Sequence, residues 1–246
     1  MNDNSWLLIV GANSDIAISA AYRYAKAGYN IYLASRNTES LNIIAGDIKI
    51  RFNVNSEVIY FDACKFDQHP MFYQNLKVKP QGVLLAFGIM HDQQDAQKDF
   101  CVTREMIDTN FSGSVSILEA IASDFEKRGS GFIIGITSVA GDRGRMSNYI
   151  YGATKAAFTA YLQGLRHRLI KSNINVLTVK PGYVETKMTK DITLPKTLTS
   201  KPNDVSNAIF KAVINKRSTI YVKPIWRLIM SIVIHMPDFI FHKTKL

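Results

Sequence analysis

The sequence predicts an α/β fold: one doubly wound parallel sheet of about seven strands in a single domain, with an apolar helix at its C-terminal end. Three observations predict it. Short, continuously apolar runs rich in β-branched residues recur along the chain, helix-length segments lie between them, and the first run opens into a glycine-containing turn and a helical pattern. Uninterrupted apolar runs are what strands covered on both faces require, and strand–helix alternation makes neighbouring strands parallel, with right-handed crossovers.

The runs are WLLIV (6–10), IYLA (31–34), VIYF (58–61), VLLAF (83–87), FIIGI (132–136), INVLTV (174–179) and TIYV (219–222). Of the helical segments between them, SDIAISAAYRYAKAG stops at Gly28, and NDVSNAIFKAVINK opens on a capping Asn203 or Asp204. MIDTNFSGSVSIL and the stretch from Tyr151 to Leu169 supply two more. No repeat, low-complexity tract or Pro/Gly-rich linker divides the chain, and 246 residues suit one well-buried domain.

Composition narrows the function classes. The chain is 47% hydrophobic and 20% charged, as an ordinary globular protein is. Cys64 and Cys101 stand far apart with no Cys-x-x-Cys or His cluster, which excludes a disulfide framework or a zinc site and fits a reducing, cytoplasmic compartment. The N-terminal stretch has a short apolar run and no basic leader, so it reads as a first strand rather than a signal peptide. A net charge of +10 raises nucleic acid as a partner, but zinc-finger spacing, an aromatic RNA-binding signature and long basic runs are all missing. Anionic small molecules and an anionic membrane surface remain as partners.

The first turn, GANSDIA, is a nucleotide-site candidate. A tight turn from strand to helix presents backbone N–H groups to a phosphate, with the helix N-terminus behind them. Gly11 is present, but Asp15 and Ala17 stand where such a turn usually has further glycines. Asp15 is expected to cap the helix with its carboxylate turned away, beside Ile16. The second strand ends in Arg36, with no acid to grip a ribose 2′-hydroxyl. That substitution predicts a 2′-phosphate and hence NADP(H), with Ser14 or Asn13 as neutral donors. After the third strand, Asp62 and Ala63 are placed to meet the adenine, although Asp62 can equally cap a turn.

Tyr-x-x-x-Lys occurs at Tyr22/Lys26, Tyr73/Lys77, Tyr151/Lys155 and Tyr183/Lys187, so the spacing alone says nothing. Only Tyr151 and Lys155 follow a buried strand that delivers a serine, Ser138, and lie one turn apart on a helix lightened by Gly152, Ala153, Ala156 and Ala157.

These residues in series resemble the short-chain dehydrogenase/reductase family, in its single-domain branch, over roughly residues 5–223. The matching features are the Gly11 turn, Asn110, Ser138, Tyr151 with Lys155, and the segment PGYVET from Pro181. The resemblance implies a Rossmann-type sheet in the order 3-2-1-4-5-6-7, a nicotinamide cofactor and a catalytic set of Asn110, Ser138, Tyr151 and Lys155. It implies that Asn110 holds a proton-relaying water, and that Pro181, Gly182, Val184 and Thr186 fix the nicotinamide. It also implies a homodimer or homotetramer built on the helices of Asn110 and Tyr151. The fourth strand departs from the pattern: Ala86-Phe87-Gly88 stands where the family usually has Asn-Ala-Gly, which puts cofactor affinity in question more than catalysis.

Residues 1–223 are thus expected to form the NADP-binding catalytic domain, and 224–246 an apolar, basic tail. Trp226 to Met236 is broken by Arg227, Ser231 and His235 and ended by Pro237, short of the roughly 18–20 residues that span a bilayer. The tail can be a core or dimer-interface helix, or an interfacial segment with Trp226 and Phe239/Phe241 at the headgroups. Flanking Lys223, Arg227, Lys243 and Lys245, opposed only by Asp238, favour peripheral contact with the inner face of a membrane. Its Trp-Arg-x-x-Met … Pro-x-x-Ile-Phe pattern resembles the reductases of keto-sugars on polyprenyl phosphate (decaprenylphosphoryl 2-keto-sugar reductases) in polysaccharide and cell-wall assembly. The short, polar segment from Thr186 to Lys201 also suits a sugar-like head. The expected reaction is reduction of a lipid-linked ketone. Its alternatives are a soluble or acyl-carrier-linked ketone with the tail used for dimerisation, and an idle NADP-binding scaffold.

Overall fold

The computed structural model describes residues 5–190 and 194–244. Its strands are β1 (Trp6–Val10), β2 (Asn30–Ser35), β3 (Ser56–Tyr60), β4 (Gly82–Leu85), β5 (Gly131–Ile136), β6 (Ile174–Pro181) and β7 (Thr219–Val222). All pair in parallel in the order β3-β2-β1-β4-β5-β6-β7, the expected one. The helices are α1 (Asp15–Ala25), α2 (Glu39–Phe52), α3 (His69–Gln74), α4 (Gln93–Lys98), α5 (Phe100–Ile107), α6 (Gly113–Arg128), α7 (Tyr149–Leu169), α8 (Pro202–Ile214), α9 (Ile225–His235) and α10 (Asp238–Phe241).

Strand alternation builds two cores. Leu7 and Ile9 face a layer formed with α1, α2 and α8, whereas Leu8 and Val10 face α6 and α7 on the other side. Each such fully buried side chain contributes about 1.5–3 kcal/mol by leaving water. Small residues set the spacing: Ala17, Ala20 and Ala21 of α1 are fully buried, and Ser19 meets Ser206 of α8 at 2.8 Å. Neither expected residue occupies the cap of α8. Lys201 does, and Asp204 instead accepts the Lys201 N–H at 2.9 Å from inside the first turn.

Register decides where the loops emerge. Val10 lies opposite Ala34 of β2 and Leu85 of β4, so the turns that follow all three strands reach the same edge of the sheet. Strand order reverses between β1 and β4, and a crevice opens there.

The tail is a third, smaller core. Trp226, Met230 and Val233 of α9 pack with Val139, which follows β5. Arg143 ties the tail down: its guanidinium donates to the carbonyls of Val233, Ile234 and Met236, pairs with Asp238 at 2.6 Å, and stacks on Phe241 at 3.9 Å. Beside it, Asp142 takes Lys180 and the Tyr221 hydroxyl. Two of the expected headgroup aromatics are therefore placed otherwise. Trp226 is 4% exposed and Phe241 lies under Arg143, whereas Phe239 is 69% exposed. Trp226 turns inward because its indole N–H finds the Leu198 carbonyl at 3.0 Å and its ring finds Tyr183.

Arg143→Ala removes these bonds, a loss of about 1–3 kcal/mol concentrated on the tail. Limited proteolysis is expected to cut within 225–244 at least about tenfold faster in the variant than in the parent while the sheet stays resistant. Equal cleavage would show that the tail holds without Arg143.

Candidate active site

A cavity of about 620 Å³ occupies the crevice at the carboxyl ends of the strands. One end is the turn after β1. Gly11 has φ +83°, and a Cβ there would come within 2.4 Å of the Phe87 backbone, so glycine is required both by the turn and by the strand alongside. Behind it, Asp15, Ile16 and Ala17 offer the first N–H groups of α1, which have no intrahelical acceptor.

The side chains of this turn are placed by tertiary partners. Asp15 does not cap α1; Oδ2 accepts the backbone N–H of Lys187 at 2.7 Å, joining the turn to the loop after β6. Its carboxylate is thereby engaged by a different partner from the expected cap. Asn13 lines the cavity, and its amide N–H groups donate to the Asn37 carbonyl and to Ser40 at 3.0 Å, bridging the β1 and β2 loops. Ser14 makes no capping bond to the helix, and Arg36 is exposed at the cavity rim. Asp62 accepts the Cys64 N–H at 3.0 Å, which makes it a turn cap that also lines the cavity.

The opposite wall is built from β4, β5 and α7. Ala86 stands where the asparagine is lost; Phe87 beside it packs on Phe61, and Gly88 lies against two polar side chains. A Cβ at Gly88 would lie 3.0 Å from Lys155 Nζ and 3.2 Å from Asn110 Oδ1, so these atoms meet at one point. Asn110 sits in a π-helical turn, Asp108–Ser112, between α5 and α6. Its Oδ1 accepts from the Ile89 N–H at 2.8 Å, and Nδ2 donates to the Ile89 carbonyl and to Thr154. The amide thus clamps the loop after β4 to α7, leaving one Oδ1 lone pair for a water.

Ser138 ends the run from β5, accepting the Ala140 N–H at 3.1 Å. Tyr151 and Lys155 share one face of α7, with Lys155 Nζ 5.7 Å from the tyrosine ring centre. Lys155 is 4% exposed and donates to the Ile136 carbonyl at 3.3 Å. Burial lowers its pKa to about 8. Burial also pushes Tyr151 up to about 12, against a smaller lowering by the Ser138 hydroxyl. The other tyrosine–lysine pairs do ordinary work: Tyr22 donates to Asp47, Tyr73 to Asp124, and Tyr183 packs on Trp226.

Pro181, Gly182, Val184 and Thr186 line the floor. Val184 is pinned by a bridge to Ser200, and the Thr186 N–H donates to Thr189. Trp226 lies on Gly182 so closely that a Cβ there would stand 2.0 Å from the indole. Trp226, Tyr183, Arg145 and Met188 join the lining beyond the residues expected from sequence. Only the unusual Trp-on-tail position hinted at this, because the contact depends on how α9 folds back. Residues 191–193 of the polar segment lie outside the described residues.

Residues 5–197 match the family model described as short chain dehydrogenase, and the chain belongs to that family. An uncharacterized oxidoreductase of Mycobacterium tuberculosis is 31% identical over 219 residues, covering 88% of this chain and 87% of that protein. The ketoacyl reductase HetN of Nostoc is 28% identical over 223 residues, 88% of this chain and 77% of HetN. Among solved structures, a short-chain dehydrogenase from Sphingobium yanoikuyae in complex with NADPH superposes with a TM-score of 0.82 at 21% identity, covering 98% of this chain and 96% of that one.

The buried lysine has a consequence for stability. Unfolded, Lys155 titrates near 10.5; folded, near 8, so the unfolded chain binds more protons between these values. Its burial cost is therefore full below pH 8 and disappears as pH rises to 10.5. Lys155→Met is expected to stabilise the cofactor-free protein at pH 7, by up to on the order of 3 kcal/mol, and to flatten the rise of stability across that window. Urea unfolding at a series of pH values measures it; parallel profiles for parent and variant would contradict the assignment.

Proposed function

We propose that this short-chain dehydrogenase reduces a ketone to an alcohol with NADPH, and that the ketone is a keto-sugar carried on a lipid. The observation that carries the reading is the convergence of Ser138, Tyr151 and Lys155 on one wall of a cavity whose far end is a phosphate-accepting turn. The site fits NADP(H). Free N–H groups from Asp15 and Ile16 and the Gly11 turn suit the pyrophosphate, and Arg36 with Ser14 suits a 2′-phosphate. Asp62 and Ala63 would flank the adenine. Ala86, Phe87, Gly88, Pro181, Gly182, Val184 and Thr186 would enclose the nicotinamide half, with Lys155 on its ribose.

When bound, the cofactor supplies the hydride. The chain's own residues supply the rest. Ser138 donates to the carbonyl oxygen and steadies the charge developing there. Tyr151, held as a phenol well above neutral pH, donates its proton to that oxygen. Lys155, whose charged form favours the phenolate left behind, eases the transfer, and a water on Asn110 would return the proton.

Support for a lipid carrier comes from the tail. The outer face of α9 exposes Ile225, Leu228, Ile232 and Ile234, continued by Phe239 and Ile240, with Lys223, Arg227 and Lys243 beside it. The inner face closes the cavity, so a substrate lying in a membrane surface would meet the mouth directly. No described helix is long and apolar enough to cross a membrane; the contact proposed is peripheral, on the inner leaflet, through this exposed face. A soluble or acyl-carrier-linked ketone is the second reading, favoured by the likeness to HetN, with the exposed tail face then serving dimerisation. A homodimer or homotetramer through α6 and α7 is compatible with either.

Tyr151→Phe is expected to cut NADPH-dependent ketone reduction by about 10²–10⁴-fold while leaving the NADPH dissociation constant within about twofold. Unchanged biological activity in that variant would favour the idle-scaffold reading. Co-flotation with vesicles separates the carriers. Binding to anionic but not neutral vesicles, abolished by Leu228→Glu with Ile232→Glu, is expected for the lipid reading. A parent protein that never floats and forms dimers sensitive to those changes would favour the soluble one.

A further inference from the structure

We propose that Arg145 recognises an oxyanion, phosphoryl or carboxylate, on the substrate itself, making this a reductase of anionic ketones; the proposal rests on the carbonyl-reductase reading above. Arg145 lies in the loop between Ser138 and Tyr151 and lines the cavity. Its Nη2 meets only the thioether of Met230, at 3.3 Å, and its Nε is buried with no hydrogen-bond partner. Thioether sulfur is a weak acceptor, so the buried Nε and the Nη2 of this half-buried side chain have no strong acceptor from the described residues. Among the described residues no carboxylate pairs with it.

The surrounding acids are already spent. Asp142 is held by Lys180 and Tyr221, and Asp238 by Arg143. The two arginines of this loop are thus opposites: Arg143 is saturated by the tail, whereas Arg145 keeps a planar donor fork turned to the cavity. A guanidinium edge without a strong protein acceptor is complementary to a ligand oxyanion, which can take both of its donors.

The cofactor's phosphates do not fill this role. They belong to the turn after β1 and to Arg36 after β2, whereas Arg145 follows β5 and touches α9, which follows β7. With β1 and β4 between them, β2 and β5 are three strand spacings apart, about 14 Å. Arg145 stands on the substrate side, in the same loop as the start of α7. Asn148 in that loop also lines the cavity, with a buried Oδ1 lacking a partner.

The test uses the full-length protein with matched soluble ketones: dihydroxyacetone phosphate against dihydroxyacetone, and acetoacetate against its ethyl ester. The parent is expected to favour the anionic member of a pair by about tenfold or more in kcat/KM. Arg145→Gln is expected to erase that preference by raising KM, with kcat, neutral-ketone kinetics and NADPH binding unchanged, and Arg145→Lys to restore part of it. Calorimetric titration of the NADP-saturated protein with dihydroxyacetone phosphate reads recognition apart from turnover. A dissociation constant at least about tenfold weaker in Arg145→Gln supports the proposal; equal binding, or none to the parent, overturns it. An equal anionic preference in parent and variant also overturns it. Failure of the reductase reading looks different: no turnover of any ketone although the anion still binds in an Arg145-dependent way. Competition by dodecyl phosphate in vesicles, set against dihydroxyacetone phosphate in solution, tells a lipid-borne phosphate from a soluble one.

Discussion

The site depends on burying one ammonium group at the end of a parallel sheet. Lys155 has a main-chain carbonyl for company and no carboxylate within its reach among the described residues, so its charge is poorly compensated and its pKa falls. Several neighbouring choices follow from making room for it. Gly88 leaves that room: a Cβ there would press on both Nζ and the Asn110 amide. Asn110 must reach Ile89 and Thr154 together, and the π-helical turn that carries it supplies that reach by interrupting the regular helix. A carboxylate beside Lys155 would relieve the ammonium but would oppose a phenolate forming on Tyr151, so the uncompensated state suits proton transfer.

How much of this was legible in sequence follows from the range of each contact. The sheet order and strand positions were readable because burial on both faces leaves continuous apolar runs, and WLLIV or FIIGI can be little else. The Tyr151–Lys155 pair was readable because helical spacing fixes which side chains share a face. Asp15 was read as a cap of α1, which it is not. Its partner, the Lys187 N–H, is 172 residues away and is supplied by the fold. For Trp226 the sequence left a core helix and a membrane interface both open, with the flanking basic residues favouring the second, and the structure buries it. The acceptor that draws it inward is a carbonyl of the segment after β6, invisible to any local pattern. Arg145 carries no sequence signal at all, since only the assembled cavity distinguishes it from Arg143.

Those long-range contacts have a shared geometry. Asp15 joins the turn after β1 to the loop after β6, and Trp226 joins the same region to the tail through Gly182 and Leu198. The cavity floor is therefore tied at two ends, once to the phosphate-accepting turn and once to α9. Val184 and Thr186 lie between those ties, so this stretch of the floor is held at both ends. Glycine at 182 gives the second tie its closeness, since any side chain there would push the indole away and open the floor.

The same geometry joins the two halves of the proposed chemistry. α9 turns Trp226 to the cavity, buries Met230 against Arg145 and exposes isoleucines and Leu228, so one short helix is at once wall and exposed apolar surface. Met230 touches Arg145, and Arg143, two residues earlier, holds the end of α9 through its carbonyls. The loop between Ser138 and Tyr151 thus has one arginine fastening the tail and a second facing the cavity that the tail closes. A ketone bearing its anion close to a lipid anchor would present the anion to Arg145 and the anchor to the outer face of α9, with the carbonyl left between Ser138 and Tyr151. A soluble anionic ketone would use the first contact alone. The difference between these substrates is therefore expected to lie in the tail, and the chemistry to be common to both.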